Sequence, residues 1–514
     1  MTRVSLVTLL LWLLGWPGAC IPGLPPADPD HPLARPLPAL SARPDPVAGG
    51  RIVDAYGREV LLRGVNVNAF VEYWAYDPDL FTTYPFTPED ADAIAAMGWN
   101  VVRLLLSWSR VEPEPGVYDE AYLDAIEQAV HTLERRGVYT LIDLHQDAWS
   151  ATLAARPDEA CGTIGPPAFG WDGAPGWATL DGGAPRCASF GVRELSPAVL
   201  AAFDAFWNDA PGPGGVGIRT RYVRMLGHLA ERFSKLDAVA GYDLMNEPNA
   251  ILQIDVLDEF IAEAIAAIRA GEARAGAPRR LVFFEPSATW ALLGAGAPAP
   301  FPADDQIVYA PHLYQGGLDD QTLDAAVFQR ARDEAAAYGG APVLSGEWGA
   351  DPGRASNPDD DYFERHQALQ DAFRFGATLW TWREACGDPH KAADVRDGRV
   401  PKVWGLFEVD CTTNQVLGPR SDLVDALRRP LLRAAPGPIE SVTWNPEAGR
   451  FHARGTQARA NQTFFVFWPA RLGTEPRLAG KGVHGMLLLE APGGQRFVAG
   501  RAHGGAWELV IEAR

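Results

Sequence analysis

Two glutamates stand where chemistry is expected. Glu247 follows an apolar run in LMNEPN, and Glu347 closes another in LSGEWG. A carboxylate at the end of such a run loses hydration and needs a partner or a task. Two carboxylates facing each other across a sugar can cleave a glycosidic bond. One protonates the leaving oxygen while the other attacks the anomeric carbon. Other chemistries lack their signatures: the chain has no HExxH, no CxxC, no P-loop and no GxSxG. His145 and Asp147 are of metal-ligating types, but no third ligand stands at a suitable spacing. No metal and no other cofactor is expected.

Elements must bring the two glutamates together. From residue 51 on, apolar runs alternate with amphipathic helical patterns. Eight runs read as buried parallel strands, at 60–66, 100–106, 139–144, 238–245, 281–285, 307–313, 343–347 and 377–382. Eight strand–helix alternations predict an α/β fold of the (β/α)8 TIM barrel type. A doubly wound sheet is the alternative, but it would show a glycine fingerprint after its first strand, and none is present. In a barrel, side chains at strand C-termini converge, which places Glu247 and Glu347 in one pocket. Two long loops, 146–196 and 384–415, lie at that same face, where long loops usually serve function. After residue 432 the pattern changes to short runs separated by turn signals. A linker at 434–438 and a small C-terminal β-sandwich at 439–514 are expected, leaving 49–434 for the catalytic barrel.

The motifs carry a resemblance. DLMNEPN and SGEWG resemble glycoside hydrolase family 5, a retaining family of barrel glycosidases. LIDLHQDAWS, DGAPGWAT and WREACGDPH are similar to stretches of the endoglycoceramidases within it. The resemblance covers about residues 51–514. It implies Glu247 as general acid and then base, holding its proton near neutral pH, and Glu347 as ionised nucleophile. It implies that Arg103 and Tyr314 support Glu347 and that His312 supports Glu247. Asn246 would donate to the sugar 2-hydroxyl, and His145 and Asp147 would hold other hydroxyls. Trp380 or Trp382 would form the floor under the ring; strand parity is the same for both. One departure bears on the substrate. Bacterial endoglycoceramidases often carry a lysine in the loop after the first strand, where this chain has Asn68, Glu72, Tyr73 and Trp74. The implied substrate is a glycosphingolipid cut between glycan and ceramide. A β-glucosidase, steryl glucosidase or endo-β-glucanase is the alternative, and a non-catalytic carbohydrate- or lipid-binding barrel is a third reading. A ceramide needs an apolar surface beside Glu247, for which Phe169, Trp171 and Trp177 and the segment 290–293 are the candidates.

Composition bounds the partners. The 514 residues are 47% hydrophobic, an ordinary globular proportion, and 17 are Trp. With 65 acidic and 45 basic side chains the net charge is −20, which disfavours nucleic acid. A glycolipid or glycoside substrate, contact with a membrane surface and a monomeric state are expected. Arg3, an apolar run and small residues before Cys20 read as an export signal over 1–20, too short to span a bilayer at roughly 20 residues needed. Residues 21–48, dense in Pro and Ala, read as a tether. The protein is expected to be secreted, or surface-anchored by a lipid on Cys20. The other cysteines fall as two local pairs, Cys161/Cys187 and Cys386/Cys411. That pairing, one of three connectivities, is expected in an oxidising compartment.

Overall fold

The computed structural model describes residue 33 and residues 36–514, apart from 302–303, 319–320, 353–360 and 492. The expected export signal, Cys20 and the first part of the tether lie outside the described residues.

Eight parallel strands form the central sheet. They are β1 (Arg63–Phe70), β2 (Val101–Ser107), β3 (Tyr139–His145), β4 (Val239–Asp243), β5 (Leu281–Phe284), β6 (Ile307–Tyr309), β7 (Leu344–Trp348) and β8 (Gly376–Leu379). Neighbours pair in chain order, and β8 pairs with β1. A parallel bridge from Tyr309 to Val343 joins the β6 and β7 sides and closes the barrel. Every expected run overlaps one of these strands. Parallel strands buried on both faces read as unbroken apolar runs, which is why they were legible.

Helices wrap the outside. Glu120–Glu134 shows how the sequence starts one: Asp119 caps it by accepting the N–H of Tyr122, and it buries Leu123, Ile126, Val130 and Leu133 along one stripe. Pro88–Ala96 begins with a capping box between Thr87 and Asp90.

Two expectations need correction. Part of the stretch taken as a tether is built into the fold. Leu40–Arg43 pairs antiparallel with Arg51–Asp54, and Leu33, Leu37 and Leu40 are buried. Ala42 donates its N–H to Gln306 at 3.0 Å, and Tyr139 donates its hydroxyl to the Pro38 carbonyl at 2.7 Å. These contacts are made at the starts of β3 and β6, so the leader plugs the barrel end opposite the glutamates. Spaced leucines among prolines bury without helical or strand periodicity, so composition alone misread them.

The sandwich also starts earlier than residue 439. It has two four-stranded sheets. Leu431–Ala434 is an edge strand of one, paired with Thr463–Phe467. The AAPGP stretch is therefore no linker. Ala435 exchanges backbone hydrogen bonds with Glu59 at 3.1 and 2.8 Å. A Cβ on Gly437 would sit 2.5 Å from the Thr456 carbonyl, so glycine there permits close approach.

Candidate active site

Arg103 is the hub. It lies in β2, in register with Asn66 of β1, so both point into the barrel. Its Nε donates to Asp243 at 2.9 Å. One terminal nitrogen donates to Asn66 at 3.1 Å and to Glu347 at 2.9 Å. The other reaches Asn246 at 3.0 Å, Glu285 at 2.9 Å and Asp143 at 3.0 Å. Burial alone would lower the guanidinium pKa, but Asp143, Asp243, Glu285 and Glu347 outweigh it and lock the charge in place.

Glu347 sits at the β7 end. Its Oε1 accepts from Arg103, and its Oε2 accepts the Tyr314 hydroxyl at 2.9 Å. Burial pushes its carboxyl above the ordinary value, against the charges of His312 and Arg103. Both oxygens are nonetheless held by donors that stay protonated, since burial and the Glu347 charge raise the Tyr314 phenol well above its usual range. The carboxylate is the form this geometry fits.

Glu247 follows β4 in a left-handed turn, φ 39°. Such a conformation costs about 1 kcal/mol or more outside glycine, and neighbours hold it. Gln146 donates to the Asn246 and Glu247 carbonyls at 2.7 and 3.0 Å, and the Glu247 N–H is taken by Glu285 at 2.8 Å. The turn presents the side chain, 20% exposed, to the mouth. His312 Nδ1 lies 2.9 Å from Glu247 Oε1 and 3.5 Å from Glu347 Oε2. Oxygens of the two glutamates come within 4.8 Å of each other. Both carboxyls thus face the same cavity.

The contacts of Glu247 bear on the proton expected there. Burial pushes its carboxyl up, but the His312 hydrogen bond and charge outweigh burial and hold it below the ordinary value. His312 itself, lowered by burial, is raised well above its usual value by Glu285, Glu347 and Glu247. Both directions favour a proton on the imidazole, whose Nδ1 lies 2.9 Å from Glu247 Oε1.

A second group lines the adjoining wall. His145 Nδ1 pairs with Asp143 at 2.8 Å, and its Nε2 lies 3.7 Å from Asp147. Arg193, from the long loop after β3, holds Asp147 at 2.9 Å. Burial pushes the Asp147 carboxyl up, but Arg193 and the His145 and His390 rings hold it well below the ordinary range. His145 Nε2, Asp147 Oδ2 and Glu384 Oε1 are buried with no hydrogen-bond partner among the described residues. Trp380 stacks on His145 with centroids 5.5 Å apart, and packs with Tyr73, Leu105, Tyr314 and Trp404.

Trp382 is placed elsewhere. Its indole donates to Asp90 at 3.0 Å, and its ring meets Phe407 edge-on in the barrel wall. The parity argument failed because β8 ends at Leu379, before either Trp, so strand alternation does not extend to them. Asn246 is in the cluster, but its Oδ1 serves Arg103 and one N–H serves the Gln146 carbonyl at 3.0 Å. One N–H remains for another partner. Trp177 and Trp290 are structural. Trp177 donates to the Glu112 carbonyl and meets Trp108 edge-on, and buried Trp290 donates to Glu334.

Glu285, Asp143, Asp243, Arg193 and His390 escaped sequence reading. Glu285 ends the apolar run LVFFE, the same signal that marks Glu247. Asp143 shares strand parity with His145.

The two disulfides, Cys161–Cys187 and Cys386–Cys411, are both present, with Cα–Cα distances of 5.6 and 5.4 Å. They staple the two long loops at this face.

Among the described residues, three sets of side chains bring donor atoms of metal-ligating type within 4.8 Å: His145 with Asp147 and Asp172, Glu247 with His312 and Glu347, and Glu384 with Asp388 and His390. Asp172 is thus a third donor beside His145 and Asp147 that spacing along the chain did not reveal. In each set a protein donor holds one or more of the carboxylate oxygens: Arg193 on Asp147, Arg103 and Tyr314 on Glu347, and His390 on Asp388 at 2.7 Å.

With the geometry set out, known proteins can be compared. Endoglycoceramidase I from Rhodococcus hoagii (strain 103S) is 32% identical over 287 residues, covering 52% of this chain and 52% of that protein. The chain spans about half the length of that relative, and less of others such as the Rhizopus delemar glucosylceramidase. A solved endogalactoceramidase superposes with a TM-score of 0.80 at 35% identity, covering 92% of this chain and 100% of that one. Endo-glycoceramidase II from Rhodococcus sp., solved as a ganglioside GM3 complex, gives 0.69 at 25% identity, with 90% and 99% covered. The family model described as cellulase (glycosyl hydrolase family 5) matches residues 53–385. The chain belongs to glycosyl hydrolase family 5.

Proposed function

We propose that the protein is a retaining β-glycosidase that cuts between glycan and ceramide in glycosphingolipids. The approach of Glu247 and Glu347 to within 4.8 Å, with His312 between them, carries the reading. Glu347 attacks the anomeric carbon. Glu247 protonates the glycosidic oxygen as that bond breaks. Glu247 then takes a proton from the water that releases the glycan from Glu347. Asn246 offers its remaining N–H to the sugar 2-hydroxyl. His145 Nε2 and Asp147 Oδ2, without a hydrogen-bond partner among the described residues, take other hydroxyls, and Trp380 lies under the ring. The names of the relatives, and the ganglioside bound by one of them, support the lipid substrate.

Ceramide chains need apolar surface on the side of Glu247. Leu252 and Leu293 are 71% and 74% exposed. They stand on segments joined by the Ala288 N–H to the Pro248 carbonyl at 3.1 Å, next to Glu247. This rim also suits contact with a membrane surface that holds the substrate. The two disulfides fit export to an oxidising compartment. No helix among the described residues is long and apolar enough to cross a membrane. The barrel proper is assigned to the segment from Arg51 to Arg429, and the sandwich to Leu431 onward.

The test is a product screen on gangliosides, simple cerebrosides, steryl glucosides and cellulose. Intact oligosaccharide plus free ceramide is expected. Glucose from steryl glucoside alone would favour the alternative and reject the lipid assignment.

A further inference from the structure

One buried carboxylate has no task in that hydrolysis. Glu285, 3% exposed, follows β5 and reaches beneath the site. Its Oε1 accepts from Arg103 at 2.9 Å and lies 3.2 Å from His312 Nε2. Its Oε2 accepts the Glu247 backbone N–H at 2.8 Å. Resting on the hydrolase reading above, we propose that Glu285 is the positioning residue of the acid catalyst. It keeps a proton on His312 Nε2, so that Nδ1 serves Glu247, and it pins the Glu247 turn.

The bland reading makes Glu285 a counter-ion for Arg103. Charge counting argues against it. Arg103 already pairs with Asp143, Asp243 and Glu347. A further buried carboxylate is costly unless a second cation offsets it. His312 is the group in contact that can become that cation. The groups facing His312 are Glu247, Glu285 and Glu347, with the Tyr314 ring 6.3 Å away edge-on. Arg103 stands behind Glu285 and Glu347. Three carboxylates around one imidazole favour its protonated form, in keeping with the upward direction of its pKa.

The second-partner carboxylate sets which imidazole nitrogen keeps its proton. With the Glu285 carboxylate 3.2 Å from Nε2 favouring a proton there, the labile proton is the one on Nδ1. It passes to Glu247 Oε1. Glu247 gives its proton to the glycosidic oxygen, the C1–O bond breaks, and its electron pair stays on the leaving oxygen. Glu347 supplies the pair for the new bond to C1. The ring is left neutral with its Nε2 proton in place. In the second half, water delivers hydroxide to C1 as the C1–Glu347 bond breaks with its electron pair returning to the Glu347 carboxylate, and the water's other proton goes back to the Glu247–His312 pair.

The test uses Glu285→Gln on the full chain, after the unsubstituted protein is assayed on an alkyl and an activated aryl β-glycoside. Gln keeps the size and removes the charge. The alkaline limb of the kcat/KM profile is expected to move to lower pH by on the order of one unit, because His312 loses a facing carboxylate. On the alkyl glycoside kcat should fall on the order of 100-fold with KM unchanged, while the aryl glycoside, which needs little protonation, should lose no more than about threefold. An unmoved alkaline limb, or equal loss on both substrates, would overturn the assignment. Nitrogen-15 histidine NMR of the unsubstituted protein decides the matter if Glu285→Gln does not fold. With His312 assigned through His312→Gln, its Nε2 should remain protonated while Nδ1 titrates; an unprotonated Nε2 would reject the proposal. If the unsubstituted protein cleaves neither glycoside, the hydrolase reading fails, and the NMR result still judges Glu285 by itself.

Discussion

Glu247 and Glu347 differ in what their carboxyls touch, so they should differ when removed. Glu347 is held as an anion by Arg103 and Tyr314. Glu347→Gln is expected to abolish turnover and leave substrate binding intact, because the new bond to C1 has no other source. Glu247 Oε1 lies 2.9 Å from His312 Nδ1. Glu247→Ala should cost on the order of 10²–10⁴-fold on a natural lipid glycoside. An aryl glycoside with a good leaving group should lose far less in its first step. Steady-state rates on the two substrate types check this; equal losses would remove the acid role. Both glutamates were legible because each closes an apolar run where hydration is lost. Glu285 closes LVFFE in the same way, but no familiar neighbour drew notice to it. The proton on His312 was not legible at all. It depends on three carboxylates converging from three strands, which no linear spacing encodes.

The strands were readable because burial on both faces leaves only apolar runs, and their order made a closed barrel the natural outcome. Two other elements hid. Leu431–Ala434 is a four-residue strand beside a Pro-Gly turn, too short to show alternation. Of the side chains expected to form an apolar wall, Trp177 and Trp290 turn inward to hydrogen-bond partners. Leu252, on the turn after β4, and Leu293, at the end of the short helix Trp290–Leu293 after β5, are exposed. Replacing both with Asn should raise KM several-fold for a glycosylceramide and leave a short aryl glycoside unchanged, since only the lipid uses that face. Equal loss on both substrates would make these turns structural, and no loss on either would place the lipid elsewhere.

At the scale of the whole molecule, barrel and sandwich are joined by buried polar contacts as well as apolar ones. Glu59 sits at the junction, where its Oε2 accepts the Ile439 N–H at 2.9 Å and Arg51 stands 3.9 Å away. Burial pushes its carboxyl up to about 7, despite that hydrogen bond. The folded state therefore binds a proton more tightly than the unfolded chain, whose Glu titrates near ~4.3. Stability from this group is present below the unfolded value and is lost as pH rises through about 7. Glu59→Gln should narrow the difference in Tm between pH 5 and pH 8; an unchanged difference would mean that Glu59 stays ionised when folded.

The proposed reaction releases the glycan whole and with its anomeric configuration kept. Proton NMR during cleavage of a β-linked oligosaccharyl ceramide reads both at once. The account predicts that the first signal to grow belongs to the β-anomer of the intact oligosaccharide, with the α-anomer appearing only by mutarotation. Early α-anomer would contradict direct attack by Glu347, and monosaccharides released one at a time from the far end would contradict cleavage at the ceramide.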